Sequence, residues 1–191
     1  YAITKRAGEL IARRYGLMFG LPVVTVRLAS VYGPMDRPSP ARRIVLLPNR
    51  LAHLALAGEE ARVNTLEAVG DYIHAGCVAQ AIALLLRAPA LDHDLFNIAS
   101  GASATVGDVL GHVARAVPGF RWRLTAGSEA NVVADPTRTR GAWGAYDVSR
   151  LAAHGWRPRP LGAALADYIG WIKDHEGPAA APDPDAPGSG E

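Results

Sequence analysis

The sequence is poor in cysteine and in lysine. Cys77 is the single cysteine among 191 residues, which excludes an internal disulfide framework and fits a reducing compartment. Lys5 and Lys173 are the only lysines, every other basic side chain being arginine. Twenty basic residues against eighteen acidic ones leave +2, too little and too dispersed for a nucleic-acid protein. No apolar run reaches the roughly 20 residues of a membrane span. The longest, Val78 to Leu86, is broken by Gln80 and closed by Arg87. The opening segment is amphipathic, with Lys5, Arg6, Glu9, Arg13 and Arg14, unlike the basic cap and apolar run of a signal peptide. A cytoplasmic protein with no membrane or nucleic-acid partner is the expectation. His74-x-x-Cys77 has no second pair at zinc spacing, so no metal site is expected.

What is present is enough for a core. With 49% hydrophobic and 20% charged residues, wholesale disorder is excluded. The length allows one domain, or one domain and part of another.

Residues 1–15 carry apolar side chains at the 3.6-residue period, with Gly16 and Gly20 as stop signals, and predict a helix. Val23 to Leu28 is β-branched throughout its first half and reads as a strand buried on both faces, as in a parallel sheet. Ser30 to Pro40 reads as a loop rich in Gly and Pro. A helix is predicted over 42–57, interrupted at Pro48, with Arg42 and Arg43 on its exposed face. Residues 62–66 and 71–74 read as short strands around a turn at Gly70. Cys77 to Leu86 predicts an apolar helix presenting Ala79, Ile82, Ala83 and Leu86 on one face. Further strands are expected at 95–99 and 121–125, and helices at 105–117, 149–154 and 161–173. Thr105 is a natural N-cap, with Asp108 in the first turn. Trp143, Trp156 and Trp171 read as core anchors. From Gly177 onward the composition predicts a disordered tail. Helices alternating with short apolar strands argue for an α/β fold.

Tyr1-Ala2-Ile3-Thr4-Lys5 places a phenol and an ammonium on one helical face. A free tyrosine titrates near 10, about 4 kcal/mol from a phenolate at neutral pH. A cation about 4 Å away at an effective dielectric of 20 supplies roughly that much, so such a pair can act as a general base. The competing reading is an amphipathic helix with a half-buried Tyr and a solvated Lys. In a chain that otherwise uses Arg, a Lys at this position favours the first reading without excluding the second.

The order of motifs carries more. Tyr1-x-x-x-Lys5, Tyr15-Gly16, Gly20-Leu21-Pro22-Val23-Val24 and Arg27-Leu28-Ala29-Ser30-Val31-Tyr32-Gly33-Pro34 come in sequence. They are followed by Asp71-Tyr72-Ile73-His74, Phe96-Asn97-Ile98-Ala99-Ser100-Gly101, Asp147-Val148-Ser149-Arg150-Leu151 and His154-Gly155-Trp156-Arg157-Pro158. Together they resemble the NAD-dependent epimerase/dehydratase family, the extended short-chain dehydrogenase/reductases, over about residues 1 to 175.

The resemblance implies the C-terminal portion of a Rossmann-like doubly wound parallel sheet plus a small mixed α/β substrate-binding domain. Residues 1–34 would end the dinucleotide-binding domain, and 35–176 would be mainly substrate-binding, with 94–117 returning to the sheet. It implies NAD or NADP as cofactor, a small-molecule substrate and a homodimer formed through the opening helix. Tyr1 would be the general acid/base. Lys5 would hold the nicotinamide ribose and favour the ionised phenol. Leu28, Ala29 and Ser30 would border the nicotinamide, and Ser30 the substrate as well. Sugar-nucleotide members usually carry Asn where this chain has Ser30. Many carry a phosphate-contacting Arg where it has Gly70. These departures lean toward a free sugar, a sugar acid or a similar hydroxy compound, with Arg37 as a carboxylate anchor. No G-x-x-G-x-x-G follows a strand, and no initiator Met precedes Tyr1, so the later part of a larger enzyme is expected. A non-catalytic or truncated member acting as a binding or scaffold module is the alternative.

Overall fold

The computed structural model describes residues 1–36 and 45–176. Arg37, Arg42, Arg43 and the segment read as a tail lie outside the described residues.

The first helix, α1 (Ala2–Phe19), stops at Gly20, whose left-handed backbone (φ 65°) returns its N–H to the Gly16 carbonyl. Glycine fits that cap because a Cβ penalises positive φ. Gly16 is the one buried residue of α1. A Cβ there would stand 2.9 Å from Val23 Cγ2, so its absence lets the chain fold back closely. Strand β1 (Thr25–Leu28) then runs antiparallel to the helix and pairs in parallel with β6 (Leu95–Ile98), Thr25 opposite Leu95 and Leu28 opposite Ile98.

Residues 30–32, expected as loop, form strand β2 (Ser30–Tyr32), parallel to β5 (Tyr72–His74). The chain steps from one ladder to the next: Ala29 N–H donates to the Ile98 carbonyl and Ser30 N–H to the Asp71 carbonyl, both at 3.1 Å. Gly70, expected at a turn, belongs to strand β4 (Val69–Gly70), antiparallel to β7 (Ala104–Thr105). Strand β3 (Ala61–Val63) pairs in parallel with β8 (Trp122–Leu124). The parallel pairs among helices make the fold α/β.

Buried side chains form two clusters. One lies under α3 (Ala75–Arg87): Cys77, Val78, Ala81 and Leu85 pack on Phe96 and Ile98 of β6, with Leu151 of α5 (Ser149–Ala153) and Trp156. The face carrying Ala79, Ile82, Ala83 and Leu86 is not the one that packs on β6, and Leu86 is largely exposed. The helix is apolar all round, so its period could not choose between faces.

The larger cluster joins α2 (Leu47–Leu56), α4 (Val106–Ala116) and α6 (Leu161–His175) around Tyr32, Val63 and Val132. Pro48 sits in the first turn of α2 rather than interrupting it, since an N–H there has no helical partner to lose. Thr105 and Asp108 close a capping box on α4, Asp108 N–H to Thr105 Oγ1 at 3.0 Å and Thr105 N–H to Asp108 Oδ2 at 2.8 Å. Of the segment 94–117, β6 pairs with β1 while α4 packs with α2 and α6. Trp156 is buried and Trp171 packs on the larger cluster. Trp143 does not join a core: it is half exposed and lies under the Arg138 guanidinium, 4.3 Å from carbon to ring centroid.

No described helix is long and apolar enough to cross a membrane.

Candidate active site

Polar clamps hold α1 against β1. Arg27 donates Nε and Nη2 to the two oxygens of Glu9 at 2.7 and 2.8 Å, the bidentate fork that favours Arg over Lys. Arg6 adds a bond of 2.7 Å to Glu9. These bonds, that of Arg27 first, hold the Glu9 pKa down to about 2. One turn further along, Arg13 meets Asp94 at 3.1 Å, just before β6. The pairs fix direction: going back along α1 from Arg13 to Glu9 goes forward along the strands. Eight residues from Glu9 to Tyr1 rise about 12 Å, and three from Arg27 to Ser30 advance about 10 Å. Tyr1 and Lys5 therefore stand at the carboxyl end of β1, where Leu28, Ala29 and Ser30 follow.

Tyr1 is 93% exposed, and the Lys5 ammonium lies 5.3 Å from its ring centroid. Leu28 is 43% exposed, although two-sided burial was expected for its strand. Among the described residues, β1 has a ladder partner on one edge only, which leaves Leu28 uncovered. Ala29 and Ser30 are half-buried.

Asp71 organises the floor beside them. Its buried carboxylate accepts from Ser100 N–H at 2.7 Å, from Gly101 N–H at 3.2 Å and from Tyr146 N–H at 3.2 Å, while its carbonyl takes Ser30 N–H. One side chain thus joins β2, the turn after β6 and the strap over residues 135–147. That strap is tied again by Val69 N–H to the Arg138 carbonyl at 2.7 Å and by Asn97 Nδ2 to the Asp147 carbonyl at 2.9 Å. In the sequence Asp71 stands out only as part of the Asp71-Tyr72-Ile73-His74 motif. A lone Asp between two strand segments was the available signal, and it does not say which N–H groups it serves.

A second polar group lies inside the larger cluster. Asn49, fully buried, donates to Tyr168 Oη at 2.9 Å and to the Asp36 carbonyl. His53 Nε2 stands 3.6 Å from Glu176, and burial pushes its pKa below the ordinary histidine value. None of these was singled out from sequence: Asn49 and His53 sit on the mostly apolar α2, and their partners Tyr168, Asp36 and Glu176 come from distant segments.

His74 and Cys77 do not converge on a common ligand. His74 Nδ1 caps α3 by accepting Gly76 N–H at 3.0 Å, and Cys77 is buried in the smaller cluster. Among the described residues, no group of three or more His, Cys, Asp or Glu is placed to hold a metal. Of the predicted site residues, Tyr1 and Lys5 meet at the start of α1, and Leu28, Ala29 and Ser30 run from the end of β1 into β2, the end toward which the Glu9–Arg27 and Arg13–Asp94 pairs turn the start of α1. Arg37 lies outside the described residues.

The chain as a whole is similar to known proteins. The chain is 29% identical over 184 residues to a dTDP-4-dehydro-6-deoxy-D-allose reductase of Streptomyces, covering 92% of this chain and 51% of that protein. It is 31% identical over 110 residues to a trifunctional UDP-glucose 4,6-dehydratase, epimerase and reductase of Arabidopsis thaliana, covering 57% of this chain and 15% of that one. The chain thus spans about half the length, or less, of these relatives. Its fold matches UDP-glucose 4-epimerase of Thermus thermophilus, solved with NAD, with TM-score 0.70 at 26% identity over 92% of this chain and 54% of that one. The UDP-glucose 4-epimerase of Thermotoga maritima also gives 0.70, at 21% identity over 91% and 53%. The fold is accordingly Rossmann-like. Residues 1–99 match the family model itself, and the chain belongs to the NAD dependent epimerase/dehydratase family.

Proposed function

We propose that the protein is an NAD(P)-dependent oxidoreductase or epimerase acting on a hydroxyl or carbonyl of a sugar, sugar acid or similar small polar substrate. The observation that carries this reading is the exposed Tyr1–Lys5 pair, ring and ammonium 5.3 Å apart, at the strand end where an α/β sheet binds ligands. Residues 1–34 then end the dinucleotide-binding part, and 35–176 are mainly substrate-binding.

The donor set fits a dinucleotide. Lys5 offers three N–H donors from one ammonium, matched to ribose hydroxyls, and Leu28 offers an uncovered apolar side chain beside the half-buried Ala29 and Ser30. Tyr1, Lys5, Leu28, Ala29 and Ser30 would hold the nicotinamide end of NAD or NADP, which supplies or accepts the hydride. Tyr1 takes the proton from the substrate hydroxyl, or returns it to the carbonyl oxygen. Lys5 sets its ammonium over the ring that carries out this exchange, 5.3 Å from the centroid. Ser30 orients the substrate, and Arg37 anchors a carboxylate where the substrate carries one. The exposed apolar side chains of α1, among them Ile3 and Ile11, give a homodimer a surface to bury.

The test is Tyr1→Phe in the full-length gene product. Turnover should fall about 10²- to 10⁴-fold, while dinucleotide affinity by calorimetry stays unchanged. Retained turnover removes Tyr1 from its role.

A further inference from the structure

Tyr1, Lys5, Glu9 and Arg13 recur at intervals of four along α1, and side chains at that spacing share one helical face. Half of this stripe is anchored. Arg27 of β1 donates to both oxygens of Glu9 at 2.7 and 2.8 Å, and Arg13 meets Asp94 at 3.1 Å. The other half is not. Among the described residues Lys5 makes no ion pair, and its ammonium lies over the Tyr1 ring. Yet Lys5 stands four residues from Glu9, the spacing of a helical ion pair. Arginine takes the carboxylate instead. Arg27 occupies both Glu9 oxygens, and Arg6 shares one of them at 2.7 Å. A planar fork matches a carboxylate where an ammonium cannot, and a Lys four residues before a Glu is the weaker order on a helix. The Glu9 side chain is 14% exposed and that of Arg27 44%, so the carboxylate is the inner partner. Its hydrogen bonds, that of Arg27 first, hold its pKa down to about 2, and it stays ionised at neutral pH.

We propose that Glu9 and Arg27 are positioning residues: their fork sets the rotation and height of α1 on β1 and leaves the Lys5 ammonium for the ribose of a dinucleotide. This rests on the reading that Lys5 holds that ribose. Glu9 lies about 6 Å along the helix axis from Lys5, and Arg27 lies on the strand beneath. Both act through Lys5 rather than by touching the dinucleotide. Two consequences follow from losing the fork. The start of α1 is no longer fixed in register, and a Glu9 oxygen without its arginine is open to capture Lys5. A lysine at position 27 does not repair this, because one ammonium cannot take both oxygens in the plane of the carboxylate.

NAD and NADP are the probes, each titrated calorimetrically into the full-length gene product. Arg27→Ala should weaken the tighter of the two by about tenfold, and Lys5→Met by about as much. Arg27→Ala added to Lys5→Met should cost less than about twofold more, because the clamp acts through the lysine already removed. A merely structural role would lower affinity equally in both backgrounds, and that outcome overturns the proposal. Natural affinity in Arg27→Ala overturns it too. Where Arg27→Ala does not fold, Arg27→Lys takes its place in both backgrounds. It keeps the charge and loses the fork, and should still weaken binding by at least about threefold; unchanged affinity overturns the proposal. Failure of the underlying reading looks different. Natural affinity in Lys5→Met removes Lys5 from the ribose and takes the positioning role with it, as does a natural protein that binds neither dinucleotide.

Discussion

The α2–α4–α6 bundle and the α1–β1 ledge are both amphipathic, and they treat their apolar side chains in opposite ways. Leu51, Leu54, Val109, Leu110 and Leu165 of the bundle are wholly buried, whereas Ile3 and Leu17 of α1 are 84% and 74% exposed. The bundle is held by the burial of apolar area, non-directional and tolerant of salt. The ledge is held by Gly16 against Val23 and by the charged pairs Glu9–Arg27 and Arg13–Asp94, which depend on pH and ionic strength. The difference teaches that helical amphipathicity marks a surface for burial without saying what covers it. Within the described residues α1 spends its polar face on β1 and leaves much of its apolar face uncovered, the face assigned above to a homodimer.

The contrast can be broken most directly with matched truncations. Leu165→Ala removes a fully buried side chain between α4 and α6 and should cost about 2–5 kcal/mol in denaturant unfolding. Ile11→Ala on the ledge, where the side chain is more than half exposed, should stay within about 0.5 kcal/mol. Equal losses would mean that the ledge is covered in solution.

Gly16→Ala should come next. The added Cβ meets Val23 at 2.9 Å and the Leu21 carbonyl oxygen at 3.1 Å, so the helix must lift from its strand, at about 1–3 kcal/mol. Hydrogen exchange should speed in α1 and β1 and leave α4 unchanged.

The smallest effect is expected from acid. Glu9 titrates from 4.5 in the open chain to about 2 in the folded one, so the folded state binds the proton less readily. Its stabilisation is complete above about pH 4.5 and drains away as pH falls through about 2. Exchange at α1 should rise over that window, and Glu9→Gln should flatten the response. A pH-independent α1 would show that apolar contact, not the clamp, holds the ledge.

Legibility followed periodicity and local chemistry. The helix over 161–173 and the Thr105 cap were readable because period and capping act within a few residues. Strand β2 was not, because its ladder partner β5 lies some forty residues away and the Gly/Pro signals of 33–40 masked it. The buried face of α3 was ambiguous for want of a polar side. That Tyr1, Lys5 and Leu28 to Ser30 share a site is an expectation of the ordered resemblance rather than of any single motif, and it stands above as a proposal. The Asp71 hydrogen bonds were invisible, since they depend on which backbone segments arrive beside β5.

By itself the sequence determined that helices lie near 161–173 and 105–117, the α/β alternation and the rare Lys four residues after a Tyr, all consequences of local sterics and periodicity. Tertiary structure alone decided that Glu9 faces Arg27, that Asp71 ties β2 to the turn after β6 and to the strap over 135–147, and that Gly16 lies against Val23. Those outcomes are set by contacts between residues distant in sequence, or by a side chain's direction, and neither is encoded in spacing.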